Sequence, residues 1–152
     1  MSELKPFDDK LAGLIGALSP AGRRKLAAEI AKELRKSQQQ RIKQQKAPDG
    51  SPYQARKRQP LRGKSGRIKR AMFQKLRTAR YMKASGRNDA AVVEFTGKVQ
   101  RIAEIHHFGL KERSKPHRHW VKYPVRPLLG INVEDYNFIK ESVVGYLARS
   151  LL

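Results

Sequence analysis

The chain has 152 residues, 39% of them apolar, which sets one domain with a modest core as the expectation. It contains no cysteine, so disulfides and thiol chemistry are excluded. No apolar run approaches the roughly 20 residues that a membrane span needs. The formal net charge of +21 is unevenly placed: residues 19–83 carry +18, residues 84–152 carry +4 and residues 1–18 carry −1. A basic block of this kind meets nucleic acid or an acidic protein surface, and charge alone does not separate the two. Met1 to Pro6 shows no signal-peptide pattern, so a soluble chain made in the cytoplasm is expected.

In chain order, Leu11, Leu14, Ile15 and Leu18 fall at helical spacing and predict a short helix over Phe7 to Leu18. Ser19-Pro20 is a helix start, with Ser as N-cap and Pro at the first helical position. The second helix then runs to about Lys46, with Leu26, Ile30, Leu34 and Ile42 on one face and Ala27 and Ala31 beside them. At this length it reaches roughly 40 Å. Its second half, Ser37 to Arg41, is almost wholly polar and is expected to project from the body or fray.

Ala47-Pro48-Asp49-Gly50-Ser51-Pro52 reads as a turn by its Pro and Asp-Gly chemistry. Gln54 to Gly66 holds one aliphatic residue, Leu61, and is expected to be an exposed loop. Residues 47–66 as a whole are expected to lack apolar partners. Ile68, Met72 and Leu76 are four apart, with Phe73 beside them, which predicts a helix over Arg67 to Arg77. A weak strand over Ala79 to Lys83, a turn over Ser85 to Asp89 and alternation at Ala91, Val93 and Phe95 together predict a β-hairpin. Val99, Ile102, Ala103 and His106 give a short helix ended by Gly109. Leu110 to Pro116 reads as a charged loop, and His119, Val121 and Tyr123 as a third strand.

That strand runs into Tyr123-Pro124-Val125-Arg126-Pro127-Leu128-Leu129-Gly130. Two prolines three apart exclude helix and turn the chain through a corner, with Leu128 and Leu129 as its apolar anchor. Arg126 between them is either an exposed charge on a structural corner or a contact residue. Asn132 is the expected N-cap of a last helix, with Glu134 and Asp135 in its first turn and Ile139, Val143, Tyr146, Leu147 and Leu151 on its inner face. The fold class is α+β: a small antiparallel sheet packed against helices, with a long N-terminal helix and an extended basic arm. One domain over 1–152 divides into N-terminal helices (1–46), a basic loop (47–66) and an α+β body (67–152).

Chemistry is sparse. His117-x-His119 places two imidazoles on one strand face, but neither cysteines nor suitably spaced acids accompany them, so no metal site or cofactor is assigned. No carboxylate pair or G-x-S-x-G elbow supports catalysis. Gly63-Lys64-Ser65-Gly66 lacks the upstream glycine and strand of a P-loop. The basic clusters have almost no interleaved aromatics for base stacking, which leaves nonspecific DNA contact through residues 19–83 as the alternative reading.

Several stretches together resemble the virion morphogenesis or tail completion proteins of contractile-tailed phages, the protein S type. They are Pro48-Asp49-Gly50-Ser51-Pro52-Tyr53, the basic run into Gly63-Lys64-Ser65-Gly66-Arg67-Ile68-Lys69, and Met72-Phe73-Gln74-Lys75-Leu76-Arg77. Ile105-His106-His107-Phe108-Gly109-Leu110 and Tyr123 to Gly130 with Glu134-Asp135 complete the set. The resemblance covers about residue 8 to the C-terminus; the His-rich loop Pro116 to His119 departs from it. It implies a non-enzymatic virion or assembly factor at the head–tail junction, working in a homo-oligomeric ring with tail and neck proteins, made in the host cytoplasm and found in the virion. It carries over no catalytic residue. Candidate partner contacts are Arg56, Lys57, Arg58, Arg62, Lys64, Arg67, Lys69, Arg70, Tyr123, Arg126 and Leu128.

Overall fold

The computed structural model describes residues 5–57, 71–113 and 118–150, with the backbone of Leu151. Among the described residues, four helices and two small antiparallel sheets occur in the order α1 (Lys5–Gly16), α2 (Pro20–Lys43), β1 (Met82–Gly86), β2 (Ala91–Phe95), α3 (Gly97–Phe108), β3 (Lys111–Arg113), β4 (Trp120–Lys122) and α4 (Val133–Leu151). The fold is α+β, with the long N-terminal helix in place. The single expected sheet is instead two hairpins, β1 with β2 and β3 with β4. Two compact units form: Met1–Lys36 with Lys83–Glu94 and Ile131–Leu152, and Ser37–Met82 with Phe95–Gly130.

In the first unit the caps follow the sequence. Gly22 N–H donates to Ser19 Oγ at 3.1 Å, so Ser19 satisfies one of the free amides at the start of α2. At α4, Asp135 N–H donates to Asn132 Oδ1 (2.9 Å) while Asn132 N–H donates to Asp135 Oδ2 (3.2 Å), a reciprocal capping box. Leu26, Ile30 and Leu34 of α2 meet Val143 and Leu147 of α4, and Leu11, Ile15, Ile139 and Tyr146 pack around them. The expected inner faces of both helices are therefore the core. A Cβ on Gly86 would lie 2.3 Å from Ala28 N and 2.5 Å from Arg24 O, so only glycine lets β1 lie against the α2 backbone.

In the second unit the end of α2 does not project or fray. Ile42 is fully buried and Gln38 is 3% exposed. The polar residues of this turn bond to backbone: Gln38 Nε2 donates to Gly130 O (3.0 Å), Gly130 N–H donates to Gln38 Oε1 (3.1 Å), and Gln39 Nε2 donates to Arg77 O (2.7 Å). A polar stretch that serves as hydrogen-bond partner for irregular backbone looks, by composition, like a solvated one.

The turn at 47–52 forms as its chemistry requires, with Gly50 N–H donating to Ala47 O (2.9 Å) and Gly50 at φ 86°. Residues 47–53 are not free of apolar partners, however, since Ala47 and Tyr53 are buried. Gln54 to Lys57 are exposed. The helix expected over Arg67 to Arg77 is absent from its described part: Ala71 to Arg77 is a run of turns, with Phe73 at φ 65°. Met72 and Leu76 are buried as their spacing suggested. The backbone of Met72 is captured instead by Gln45, which accepts its N–H (2.8 Å) and donates to its carbonyl (2.9 Å), bonds that compete with a helical ladder.

Helix α3 ends at Gly109 in the left-handed region (φ 66°), as expected. The charged loop after it contains a strand: β3 pairs with β4 in the register Lys111–Lys122, Glu112–Val121 and Arg113–Trp120. Glu112 and Val121 face inward and the other four side chains are exposed. Three charged residues in a row carry no apolar alternation, which is why the sequence gives no strand signal there.

Candidate partner-contact site

A cleft of about 470 Å³ opens in the second unit, lined by Gln54 to Lys57, Ala71 to Phe73, His106 of α3, Val121 and Lys122 of β4, and Tyr123, Pro124 and Arg126 of the proline corner. Three of its lining residues, Phe73, His106 and Tyr123, belong to a chain of rings in edge contact that begins at Tyr53. Tyr53 meets Phe73 at 5.8 Å, Phe73 meets His106 at 5.1 Å, and His106 meets Tyr123 at 4.7 Å between centroids. The Tyr53 hydroxyl donates to Pro127 O at 2.8 Å, and burial pushes its pKa up to about 12.

Arg126 is not an exposed charge: it is 5% exposed. Its Nε donates to Gln54 O (3.0 Å) and its Nη2 to Ala55 O (3.3 Å), so it holds the stretch that leads into the basic loop. Burial lowers its pKa, and the like charge of Arg56 lowers it further. An arginine remains protonated under these conditions, so the cleft wall holds a buried cation. His106 has a lowered pKa as well, first from burial and then from the charge of Arg126, with Glu112 acting the other way. His106 Nδ1 is buried and has no hydrogen-bond partner among the described residues. His107, also lowered by burial, accepts the Leu128 N–H at Nδ1 (3.0 Å).

Four of the candidate contacts come together at this cleft: Arg56, Lys57, Tyr123 and Arg126. Arg56 and Lys57 are exposed and Tyr123 is half-buried. Leu128 is 1% exposed, so it anchors the corner and presents no outward surface, whereas Arg126 is buried yet lines the cleft. Arg58, Arg62, Lys64, Arg67, Lys69 and Arg70 lie outside the described residues, as does His117. No group of three His, Asp or Glu side chains that could hold a metal ion occurs among the described residues. The sequence did not single out Phe73 or His106 for this site. Both sat in stretches that carried the family resemblance, Phe73 in Met72 to Arg77 and His106 in Ile105 to Leu110, and that was the signal available.

Of the stretches on which the family resemblance rested, Pro48 to Tyr53, Met72 to Arg77, Ile105 to Leu110 and Tyr123 to Gly130 converge here. Pro48 lies against Gly130, where an added Cβ would sit 2.6 Å from Pro48 Cγ. Tyr53 bonds to Pro127, Arg126 N–H donates to His106 O at 2.9 Å, and His107 holds Leu128. Residues 2–148 match the sequence model of the phage virion morphogenesis family. The chain belongs to that family. It is 49% identical over 150 residues, 98% of this chain and 100% of the relative, to the tail completion protein S of Escherichia phage P2. No solved structure matches the chain. Among the described residues of this family member, no helix is long and apolar enough to cross a membrane.

Proposed function

We propose that the protein is a non-enzymatic assembly factor of a phage tail, acting in tail completion and in joining head to tail at the neck through subunit–subunit contacts, in a homo-oligomeric ring. The observation that carries this reading is the identity of 49%, over 100% of its length, to a protein named for tail completion. The site supports it. Arg126 donates to two backbone carbonyls, and the described lining residues include no Ser, Thr, Cys, Asp or Glu that could serve as a nucleophile beside His106. Contact surfaces are available beside it: Phe108, Val125 and Trp120 are each more than 60% exposed, and large exposed apolar and aromatic residues mark docking faces. Its partners on this reading are tail and neck proteins, and its place is the virion or the host cytoplasm during assembly.

The test is a count of particles by electron microscopy after infection with a phage unable to make this protein. Filled heads and separate tails, converted to whole particles when the protein is supplied, are expected. Normal particle yield without it would refute the reading. The net +18 over residues 19–83 favours a second reading, contact with DNA phosphates. Retention on duplex DNA that falls steeply with salt, together with no binding to assembled tails, would replace the first reading with the second.

A further inference from the structure

We propose that the cleft in the second unit receives a carboxylate carried on an apolar segment of a partner protein, with Arg126 as its counter-charge and His106 as a second bonding group. The assignment to a partner rests on the reading of the chain as an assembly factor.

Arg126 is a cation 5% exposed whose side chain, among the described residues, donates to the carbonyls of Gln54 and Ala55. No carboxylate of the described residues pairs with it, and the charge that acts on it is the like charge of Arg56. Residues 58–70 and 114–117 contain no Asp or Glu at all. A buried charge without a counter-charge is unfavourable unless something supplies the opposite sign. A second, independent atom points the same way: His106 Nδ1 is buried at this cleft without a partner. The groups facing His106 are Arg126 of the corner, Glu112 of β3, and the rings of Phe73 and Tyr123; Arg56, Lys57 and Lys122 line the rest of the cleft. Every charged lining residue is therefore a cation.

The walls decide between a carboxylate and a phosphate backbone. Met72, Phe73, Val121, Tyr123 and Pro124 make the cleft apolar around its one buried cation, Arg126, while Arg56, Lys57 and Lys122 line it as exposed side chains. A nucleic-acid strand is held by a run of cations along an open track and by parallel ring faces for its bases. Here the rings of Phe73, His106 and Tyr123 meet edge to face, at 63° and 68°, and offer no parallel platform. A single carboxylate on an aromatic or aliphatic stem fits both the charge and the walls. Its arrival offsets the effect of Arg126 on His106, so proton uptake by His106 accompanies binding.

The experiment uses the full chain and three probes: 3-phenylpropionate, its amide and inorganic phosphate, followed by NMR at the His106 ring between pH 7.5 and 5.5. The acid is expected to bind at least tenfold more tightly than the amide, to raise the His106 pKa, and to bind more tightly as pH falls. Arg126→Met removes the binding; His106→Phe keeps binding and flattens its pH dependence, which keeps the test decisive if Arg126→Met does not fold. Equal binding of acid and amide, an unmoved His106 pKa, or phosphate displacing the acid at equal concentration overturns the carboxylate assignment. Wild-type particle yield from both variants, with probe binding lost or altered as expected, overturns the partner assignment alone. The phage lacking the protein still tests the assembly role separately.

Discussion

Replacing Arg126 with alanine separates the two jobs that its position could have. An exposed charge would contribute almost nothing to stability. The observed side chain instead bonds two carbonyls and buries its stem. Two lost methylenes contribute about 1.6 kcal/mol at roughly 0.8 each, and two charge-assisted hydrogen bonds about 1.5–3 kcal/mol each. Against these stands relief from holding an unpaired cation out of water, which is worth several kcal/mol. The net expectation for Arg126→Ala is a loss of about 2 kcal/mol. Arg126→Met keeps the stem and removes the charge, so it should lie within about 1 kcal/mol of wild type, because the lost bonds and the lost desolvation roughly cancel. Urea denaturation at pH 7.5 measures both. In each variant the amides of Arg56 and Lys57 should exchange faster, since the backbone before them is released. An alanine variant as stable as wild type would show that the guanidinium does not hold residues 54 and 55 in solution. A methionine variant much weaker than the alanine one would show that the balance between bonds and desolvation has been misjudged.

Gln38→Ala should cost about 2–4 kcal/mol, because it orphans the Gly130 N–H while Arg41 still donates to the Gly130 carbonyl at 2.6 Å; a loss below about 1 kcal/mol in urea melts contradicts this. Gly86→Ala should yield mostly unfolded protein by circular dichroism, since its Cβ meets backbone atoms of Ala28 and Arg24 that have nowhere to move; a native spectrum and melt would refute the close approach. Stability should fall as pH drops below 6.5: His106 and His107 both have lowered pKa values in the fold, so the unfolded chain takes up protons first and the stability present above 6.5 is lost on the way down to the folded values. Chemical denaturation at pH 7.5 and 5.5 reads this, and His107→Gln should remove part of the difference; a flat profile refutes it. Amides of Gly50 and Tyr53, bonded to Ala47 O and Gln45 O, should exchange slowly, and fast exchange would restore the view of 47–53 as part of a free arm.

Apolar spacing made the first unit readable. Leu26, Ile30 and Leu34 sit one turn apart, Val143 and Leu147 likewise, and the caps at Ser19 and Asn132 carry side-chain oxygens of the right kind. In the second unit α3, the strand at Val121, the turn and the corner were legible, and the irregular backbone between them was not. Its order comes from side chains bonding to backbone that belongs to no regular element, and such bonds leave no period in the sequence. Gln38, Gln39 and Gln45 read as a solvated helix end because polarity, not partner, is what composition reports. Met72 and Leu76 had helical spacing and are buried, yet two bonds to Gln45 at the first of them were enough to take that backbone out of a helix. Of the candidate site, Arg126 was found for its rigid setting and misjudged in its exposure. His106 was not found as a site residue because the adjacent pair His106-His107 on a short helix has no ligand spacing or other distinguishing pattern.

The corner itself shows why that irregular backbone can hold a site. Prolines at 124 and 127 remove two amide donors from a segment without a strand partner there. Three of the donors that remain point to fixed acceptors: Arg126 N–H to His106 O, Leu128 N–H to His107 Nδ1, and Gly130 N–H to Gln38 Oε1. The carbonyls of Pro127 and Gly130 are taken by Tyr53 and by Gln38 with Arg41. Alternate residues are thus tied to α3, to α2 and to the turn after α2, while Val125 is left 62% exposed. Fixed φ at the prolines lowers the entropy of the unfolded chain as well as fixing the fold. A partner that docks at the cleft therefore meets a wall that is already ordered and loses no corner entropy on binding. Replacing Pro127 with alanine should leave the bonds to His106 and His107 in place and weaken the corner through the unfolded state alone, by about 0.4–1 kcal/mol. A loss several times larger, with faster exchange at the Leu128 amide in the native state, would show that the ring of Pro127 holds those bonds in register directly.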